Sequence, residues 1–165
     1  MSETATNRRD GESRFSEVEE RPWDAGLRFI GRIASPWSER SDCPKNLRQA
    51  RERGEAAEVR LFPPFNEALT GVESGSYVIL LSFLDRAERD LALQMPRHAD
   101  APRGTFSLRS PVRPNPIGLH LVKLLSVDHA AGRLAIDAID VLDGTPLIDI
   151  KPYFASVDSP PESGH

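Results

Sequence analysis

An all-β fold is the architecture this sequence predicts: a single sheet, closed or nearly closed into a barrel, with a few short helices. Three observations carry that reading. Strand-like apolar runs recur along the chain, most clearly SYVILLSFL at 76–84 and LHLVKLLSV at 119–127. Strands do not alternate with helices, which argues against a doubly wound parallel sheet. Neither GxGxxG nor GxxxxGKS/T follows any strand, so the nucleotide-binding fingerprints of such sheets are missing. Closing the sheet removes the exposed edges that an open one would leave.

The elements follow in order. Residues 1–26 are polar and aperiodic, with seven acids (Glu3, Asp10, Glu12, Glu17, Glu19, Glu20, Asp24), and read as a flexible extension dispensable for folding, whose end Trp23 pins to the domain. Residues 27–34, LRFIGRIA, form the first strand, which Ser35-Pro36 ends because proline cannot donate to a ladder. A long polar stretch, 37–56, holds a short helix over 45–53. AEVRLF at 57–62 alternates as a strand, and Pro63-Pro64 opens one or two helical turns over FNEALTGV. Residues 85–103, charged and broken by Pro96 and Pro102, form a connection, and 104–109 a short strand. Residues 119–127 and 133–142 are strands joined by the turn DHAAG, and LIDIK at 147–151 is the last. The barrel domain therefore spans 27–154, and 155–165 is a flexible tail.

Composition narrows the function. The 165 residues are one domain's worth, and no apolar run approaches the roughly 20 residues of a membrane helix. The N-terminus lacks the apolar core of a secretory signal. A single cysteine, Cys43, excludes an internal disulfide and any multi-cysteine metal site, so the cytoplasm is the expected compartment. The four histidines (His98, His120, His129, His165) have no ligand-like spacing, and no metal is expected. The net charge of −4 argues against a general nucleic-acid coat, yet two local basic stretches stand out. Residues 45–53 hold Lys45, Arg48, Arg51 and Arg53, and residues 97–113 hold Arg97, Arg103, Arg109 and Arg113.

Two segments carry chemistry. In Arg109-Ser110-Pro111-Val112-Arg113-Pro114-Asn115-Pro116-Ile117-Gly118, three prolines fix the backbone and remove its donors, leaving the polar work to Arg109, Arg113 and Asn115. A stiff loop with projecting Arg and Asn suits an anion or a base edge, and equally a rigid corner with solvent-facing arginines. On the first reading, removing Arg113 leaves the melting temperature nearly unchanged and weakens substrate binding or turnover by at least about tenfold. In Asp140-Val141-Leu142-Asp143-Gly144-Thr145-Pro146, Asp143-Gly144 makes a tight turn. Asp149 and Lys151 then share one face of a short strand, as a surface ion pair or as the lining of a polar cavity.

GTFSLRSPVRPNPIG followed by DVLDGTPLIDIKPY resembles the TsaA-like family, also called TrmO or YaeB-like. IGRIASPW resembles its opening and LFPPFNEALTGVESGSYVILLSF its middle, so the resemblance covers roughly 29–154. It implies a β-barrel that binds S-adenosylmethionine, a homodimer with a shared active site, and N6-methylation of threonylcarbamoyladenosine beside the anticodon of tRNA. The alternatives are an S-adenosylmethionine-binding protein with another small substrate, or a non-catalytic module on the same barrel. By position the resemblance assigns the cofactor to Pro44, Lys45, Asn46, Arg109, Leu119, Ile139, Asp140, Val141 and Leu142, with Asp140 the candidate for ribose hydroxyls. It assigns substrate to Arg113 and Asn115, and catalysis to Asp143 and Lys151, with Asp143 as a candidate base. The chain departs from the family where the latter commonly has histidine, at Ser76-Tyr77 and at Phe83-Leu84-Asp85.

Overall fold

The computed structural model describes residues 8–15, 22 and 24–161, and the chain divides into two compact units. In chain order the elements are β1 (Ser13–Arg14), β2 (Gly31–Ala34), α1 (Leu47–Arg53), β3 (Ala57–Leu61), a 3-10 helix (Phe65–Leu69), β4 (Tyr77–Phe83), β5 (Leu91–Gln94), β6 (Arg103–Gly104), a second 3-10 turn (Thr105–Ser107), β7 (Ile117–Asp128), β8 (Arg133–Ile136), β9 (Thr145–Pro152) and α2 (Ala155–Asp158).

One unit, Leu27–Leu84 with Ile117–His165, is the barrel. Six strands close in the order β2-β3-β8-β7-β4-β9, every pair antiparallel. The single-sheet barrel expected from the strand runs is the fold. Period-2 alternation decides what points inward. On β4 the inward set is Val78, Leu80 and Ser82, and on β7 it is Gly118, His120, Val122 and Leu124. Ile33, Val59, Leu80, Val122, Leu124, Leu134, Ile136 and Leu147 fill the interior and are fully buried. Truncating one such leucine to alanine typically costs about 2–5 kcal/mol.

Boundaries differ from the sequence reading for physical reasons. The first strand begins at Gly31, where Arg60 O lies 2.3 Å from the place a Cβ would occupy, so the close approach of β3 requires glycine. Residues 133–142 are not one strand. β8 stops at Ile136, and the chain from Asp137 onward is held by groups outside the ladder. Lys123 N–H donates to Asp137 Oδ1 at 2.8 Å, Trp37 Nε1 donates to Ile139 O at 2.9 Å, and Ser35 Oγ donates to Val141 O at 2.7 Å. Asp137 N–H still donates to Lys123 O of β7 at 3.1 Å, and beyond it the carbonyls of Ile139 and Val141 are satisfied by side chains, so the segment leaves the ladder. After Phe154, part of the expected tail forms α2.

The other unit, Met1–Gly26 with Asp85–Pro116, is built on the three-stranded sheet β1-β5-β6. Strand β5 lies inside the stretch read as a connection, and the strand expected over 104–109 is instead β6 followed by a 3-10 turn. Within the stretch read as an extension, Ser13 pairs with Leu93 and Arg14 with Leu91, while Glu12 Oε1 accepts from Met95 N–H at 3.2 Å. Trp23 lies outside the described residues. No described helix is long and apolar enough to cross a membrane.

Candidate functional site

Three polar side chains meet where strand alternation leads one to expect only core. Ser82 on β4 and His120 on β7 both face the barrel interior, with 0% and 5% exposure. Leu80 pairs with His120 and Ser82 with Gly118, so the two polar residues sit one step apart diagonally across the β4–β7 ladder. Ser82 Oγ lies 2.8 Å from His120 Nε2, and His120 Nδ1 lies 2.8 Å from Asp140 Oδ1. Gly118 makes this possible: a Cβ there would stand 2.4 Å from Ser82 Oγ and 2.5 Å from His120 Nε2.

The direction of these bonds follows from the chemistry of the partners. An ionised carboxylate only accepts, so Nδ1 carries the proton in a neutral ring, and Nε2 accepts from the Ser82 hydroxyl. Asp140 stands at the open end of this chain of bonds, its side chain 19% exposed. Its second oxygen, Oδ2, has no partner among the described residues.

The loop after β2 is hydrogen-bonded to the segment that carries Asp140. Trp37 is buried, bonded to Ile139 O, and carries the Arg53 guanidinium over its ring at 5.1 Å. Cys43 is pushed up to about 11, first by burial and second by the charge of Asp140, with Arg53 opposing. The thiol is therefore neutral at physiological pH and close enough to Asp140 to feel its charge.

The residues expected at the cofactor fall in two segments of the barrel unit and in the smaller unit. Pro44, Lys45 and Asn46 follow Cys43, while Ile139, Asp140, Val141 and Leu142 belong to the stitched segment. Pro44, Ile139 and Val141 are buried. Asn46 is the N-cap of α1: its Oδ1 accepts from Gln49 N–H at 2.9 Å, and Gln49 Oε1 accepts in return from Lys45 N–H at 2.7 Å. Asp143 is exposed and accepts from Ser35 N–H at 3.0 Å, so it tethers the exit of β2 rather than capping its own turn. The basic stretch at 45–53 divides. Lys45 and Arg48 face solvent, whereas Arg51 pairs with Asp137 at 2.8 Å and Arg53 lies on Trp37.

Other expected residues have surroundings of their own. Leu119 points to the outside of β7, opposite in direction to His120, and is 51% exposed. Lys151 is paired to Asp149 at 2.9 Å toward the exposed end of β9, with both side chains open to solvent, as in the surface ion-pair reading. Leu81 pairs with both Leu119 and Asp149, which places Leu119 and this ion pair on one outer face. Arg109, Arg113 and Asn115 belong to the smaller unit. There Arg113 Nη1 donates to Leu108 O and Ser110 O, both at 3.0 Å, and Asn115 Oδ1 lies 3.3 Å from Arg89 Nη2. The proline-rich loop is thus braced by its own arginine. Among the described residues no group of three or more His, Cys, Asp or Glu forms a metal site.

Sequence reasoning passed over His120 and Ser82. One signal was present: a serine and a histidine at inward positions of two strongly apolar strands.

The family model of the tRNA-methyltransferase O N-terminal domain matches residues 32–159. The chain belongs to this family. Two relatives carry the name "Probable S-adenosyl-L-methionine-binding protein". One, from Archaeoglobus fulgidus, is 44% identical over 81% of this chain and 35% of its own length. The other, from Methanothermobacter thermautotrophicus, is 41% identical over 81% of this chain and 93% of its own. The family also includes a human relative named tRNA (adenine(37)-N6)-methyltransferase, 43% identical over 61% of this chain and 23% of its own length. The crystal structure of TrmO from Pseudomonas aeruginosa superposes with a TM-score of 0.65 at 34% identity, covering 86% of this chain and 61% of that one. The chain thus spans well under two thirds of several family members it matches.

Proposed function

We propose that this chain is an S-adenosylmethionine-dependent methyltransferase acting on N6 of an adenosine beside the tRNA anticodon, with threonylcarbamoyladenosine as the substrate. The observation that carries the reading is Asp140, gripped through one oxygen by a buried histidine and open at the other, within electrostatic reach of Cys43 in a chain of this family. The residues fit the cofactor. An open carboxylate oxygen accepts from a ribose hydroxyl, and an anionic site favours a cationic sulfonium. The neutral Cys43 thiol beside it is a poor nucleophile and does not compete for a methyl group.

Bound S-adenosylmethionine supplies the electrophilic methyl, so the protein's share is positioning and proton handling. Asp140 holds the nucleoside part, and Trp37 and Ile139, packed into the core, hold the segment that carries it. Asp143, exposed and with one oxygen engaged by Ser35, is the candidate acceptor for the amine proton. Lys45 and Arg48 face solvent and offer phosphate contacts for tRNA. Arg109, Arg113 and Asn115 are assigned to cofactor and substrate by their place in the family motif.

We further infer a cytoplasmic homodimer. The outer face of β4 and β7 carries Tyr77, Ile79, Leu81, Phe83, Ile117 and Leu119, an apolar surface of the kind that marks an interface. Leu119 and Lys151 lie on that face, so a second copy seated there brings them toward a shared site.

Calorimetry with S-adenosylmethionine tests the first step, and mass spectrometry of tRNA nucleosides from cells with and without the gene tests the second. Cofactor heat with an N6-methyl signal that depends on the gene is expected. Heat without that signal favours another small substrate. No heat and no thermal shift at millimolar cofactor removes the methyltransferase reading.

A further inference from the structure

A histidine inside a barrel core requires a reason. At position 120 the neighbours along the inward face are Gly118 and Val122, and the cross-strand partner is Leu80, so a leucine would extend the core. Burying an imidazole there is tolerable only because both ring nitrogens are bonded. Ser82 is likewise fully buried, and Gly118 has no side chain so that the bond between them can pass. Three residues on two strands thus give up apolar packing, and the line of bonds they make ends on one carboxylate.

The consequences for Asp140 are geometric. The residue sits in the irregular segment after β8, outside any ladder, where a carboxylate would otherwise choose among rotamers. The bond from His120 Nδ1 fixes Oδ1, which fixes the direction of Oδ2. Among the described residues His120 is the one group in ion-pair distance of Asp140. The loop after β2 brings the neutral Cys43, and α1 brings Arg53, which is stacked on Trp37, and Arg51, which is paired to Asp137. Strand β4 brings only the Ser82 hydroxyl. No cation is bonded to Asp140, so the imidazole N–H is its sole fixed donor among the described residues.

We propose that His120, backed by Ser82, is the positioning residue of this site: it aims the free oxygen of Asp140 at a hydroxyl of the bound nucleoside. The inference rests on the cofactor reading given above and adds the device that orients its carboxylate. The ligand class is a ribose-bearing nucleoside, recognised through a hydroxyl donor. The role of His120 is that of an N–H donor to a carboxylate oxygen, which a side-chain amide can reproduce.

The test is calorimetric titration of the full chain with S-adenosylhomocysteine, alongside melting temperatures. His120→Leu keeps the volume apolar and removes the donor; Asp140→Asn removes the anion; His120→Asn keeps an N–H near the place of Nδ1. About tenfold weaker binding is expected for His120→Leu and for Asp140→Asn, the scale of one charge-assisted bond. The double variant should be no worse than Asp140→Asn alone, because the two act through one oxygen. His120→Asn should recover binding to within about threefold of the parent, a rescue that a core-filling role would not give. A ligand-independent readout accompanies these. Nitrogen-15 spectra of the imidazole should show the Nδ1-protonated tautomer in the parent and lose that preference in Asp140→Asn. Equal binding by the parent and His120→Leu, or additive losses in the double variant, would overturn the role of His120 while leaving the cofactor reading intact. Absence of binding by the parent would overturn the cofactor reading, and this inference with it.

Discussion

Gly118 shows how one missing atom shapes the interior. Its Cβ position is occupied by Ser82 Oγ and His120 Nε2, both within 2.5 Å. Gly118→Ala must therefore push the pair apart or bend the strand, and is expected to cost about 1–3 kcal/mol. Urea unfolding with the midpoint compared to the parent measures this. Cys43 gives a second expectation at this scale. With the thiol raised from 9.0 to about 11, alkylation should remain slow at pH 8 and accelerate only above pH 10. The sign for stability follows. Between pH 9 and 11 the unfolded thiol has lost its proton and the folded one retains it, so stability falls as pH rises through that window. Cysteine alkylation rates across pH in native and urea-unfolded protein check both statements. Arg113 is a third case, where the structure changes the sequence-based expectation. Its guanidinium holds Leu108 O and Ser110 O, so Arg113→Ala is expected to lower the melting temperature by loosening the proline-rich loop, at a cost of about 1–3 kcal/mol, whatever its effect on ligand. Thermal melts of Arg113→Ala beside Arg113→Lys decide it.

At the scale of elements, α1 is seven residues long and depends on its ends. Asn46 caps its start, and Gly54, with φ of 67°, closes its end in the left-handed region. Arg51 then fastens it to the barrel through Asp137 and Leu121 O. Asn46→Ala should cost about 1 kcal/mol and loosen the Pro44–Lys45 approach to the site. Amide exchange at Gln49, whose N–H the cap holds, is the direct measure. The helix was legible in 45–53, though its cap was not: the same asparagine read by motif position as a cofactor ligand also serves as a cap. The strand over 133–142 failed at its second half for a similar reason. RLAIDAIDVL alternates well enough, but Trp37 and Ser35 reach the carbonyls of Ile139 and Val141 first. Nothing in the local pattern announces a competitor about 100 residues earlier.

At the scale of the whole molecule, the exposed apolar face of β4 and β7 sets an expectation for assembly. Tyr77, Ile117 and Leu119 are each more than two fifths exposed. A charge in the middle of such a face opposes burial strongly. Leu119→Glu is expected to yield a folded monomer at micromolar concentration where the parent is a dimer, because the side chain points away from the core. Light scattering coupled to size exclusion resolves the two masses. A parent that is monomeric at all concentrations would remove the dimer and the shared site together.

The sequence by itself determined the all-β class, the six barrel strands to within a few residues at most ends, the β7–β8 hairpin and the family, because each rests on alternation, turn chemistry or contiguous motif. It also marked Pro44–Asn46 and Ile139–Leu142; the first follows Cys43, which feels the charge of Asp140, and the second contains Asp140 itself. What only the tertiary structure decided is the union of Ser82, His120 and Asp140, residues 38 and 20 positions apart whose contact depends on barrel register and closure. A histidine in an apolar strand reads as an isolated oddity until β4 places a hydroxyl diagonally across from it, the chain beyond β8 brings a carboxylate to its other nitrogen, and a glycine leaves them room. Local pattern records which face a side chain takes; which partners it meets there is set by long-range pairing, and so by the folded chain alone.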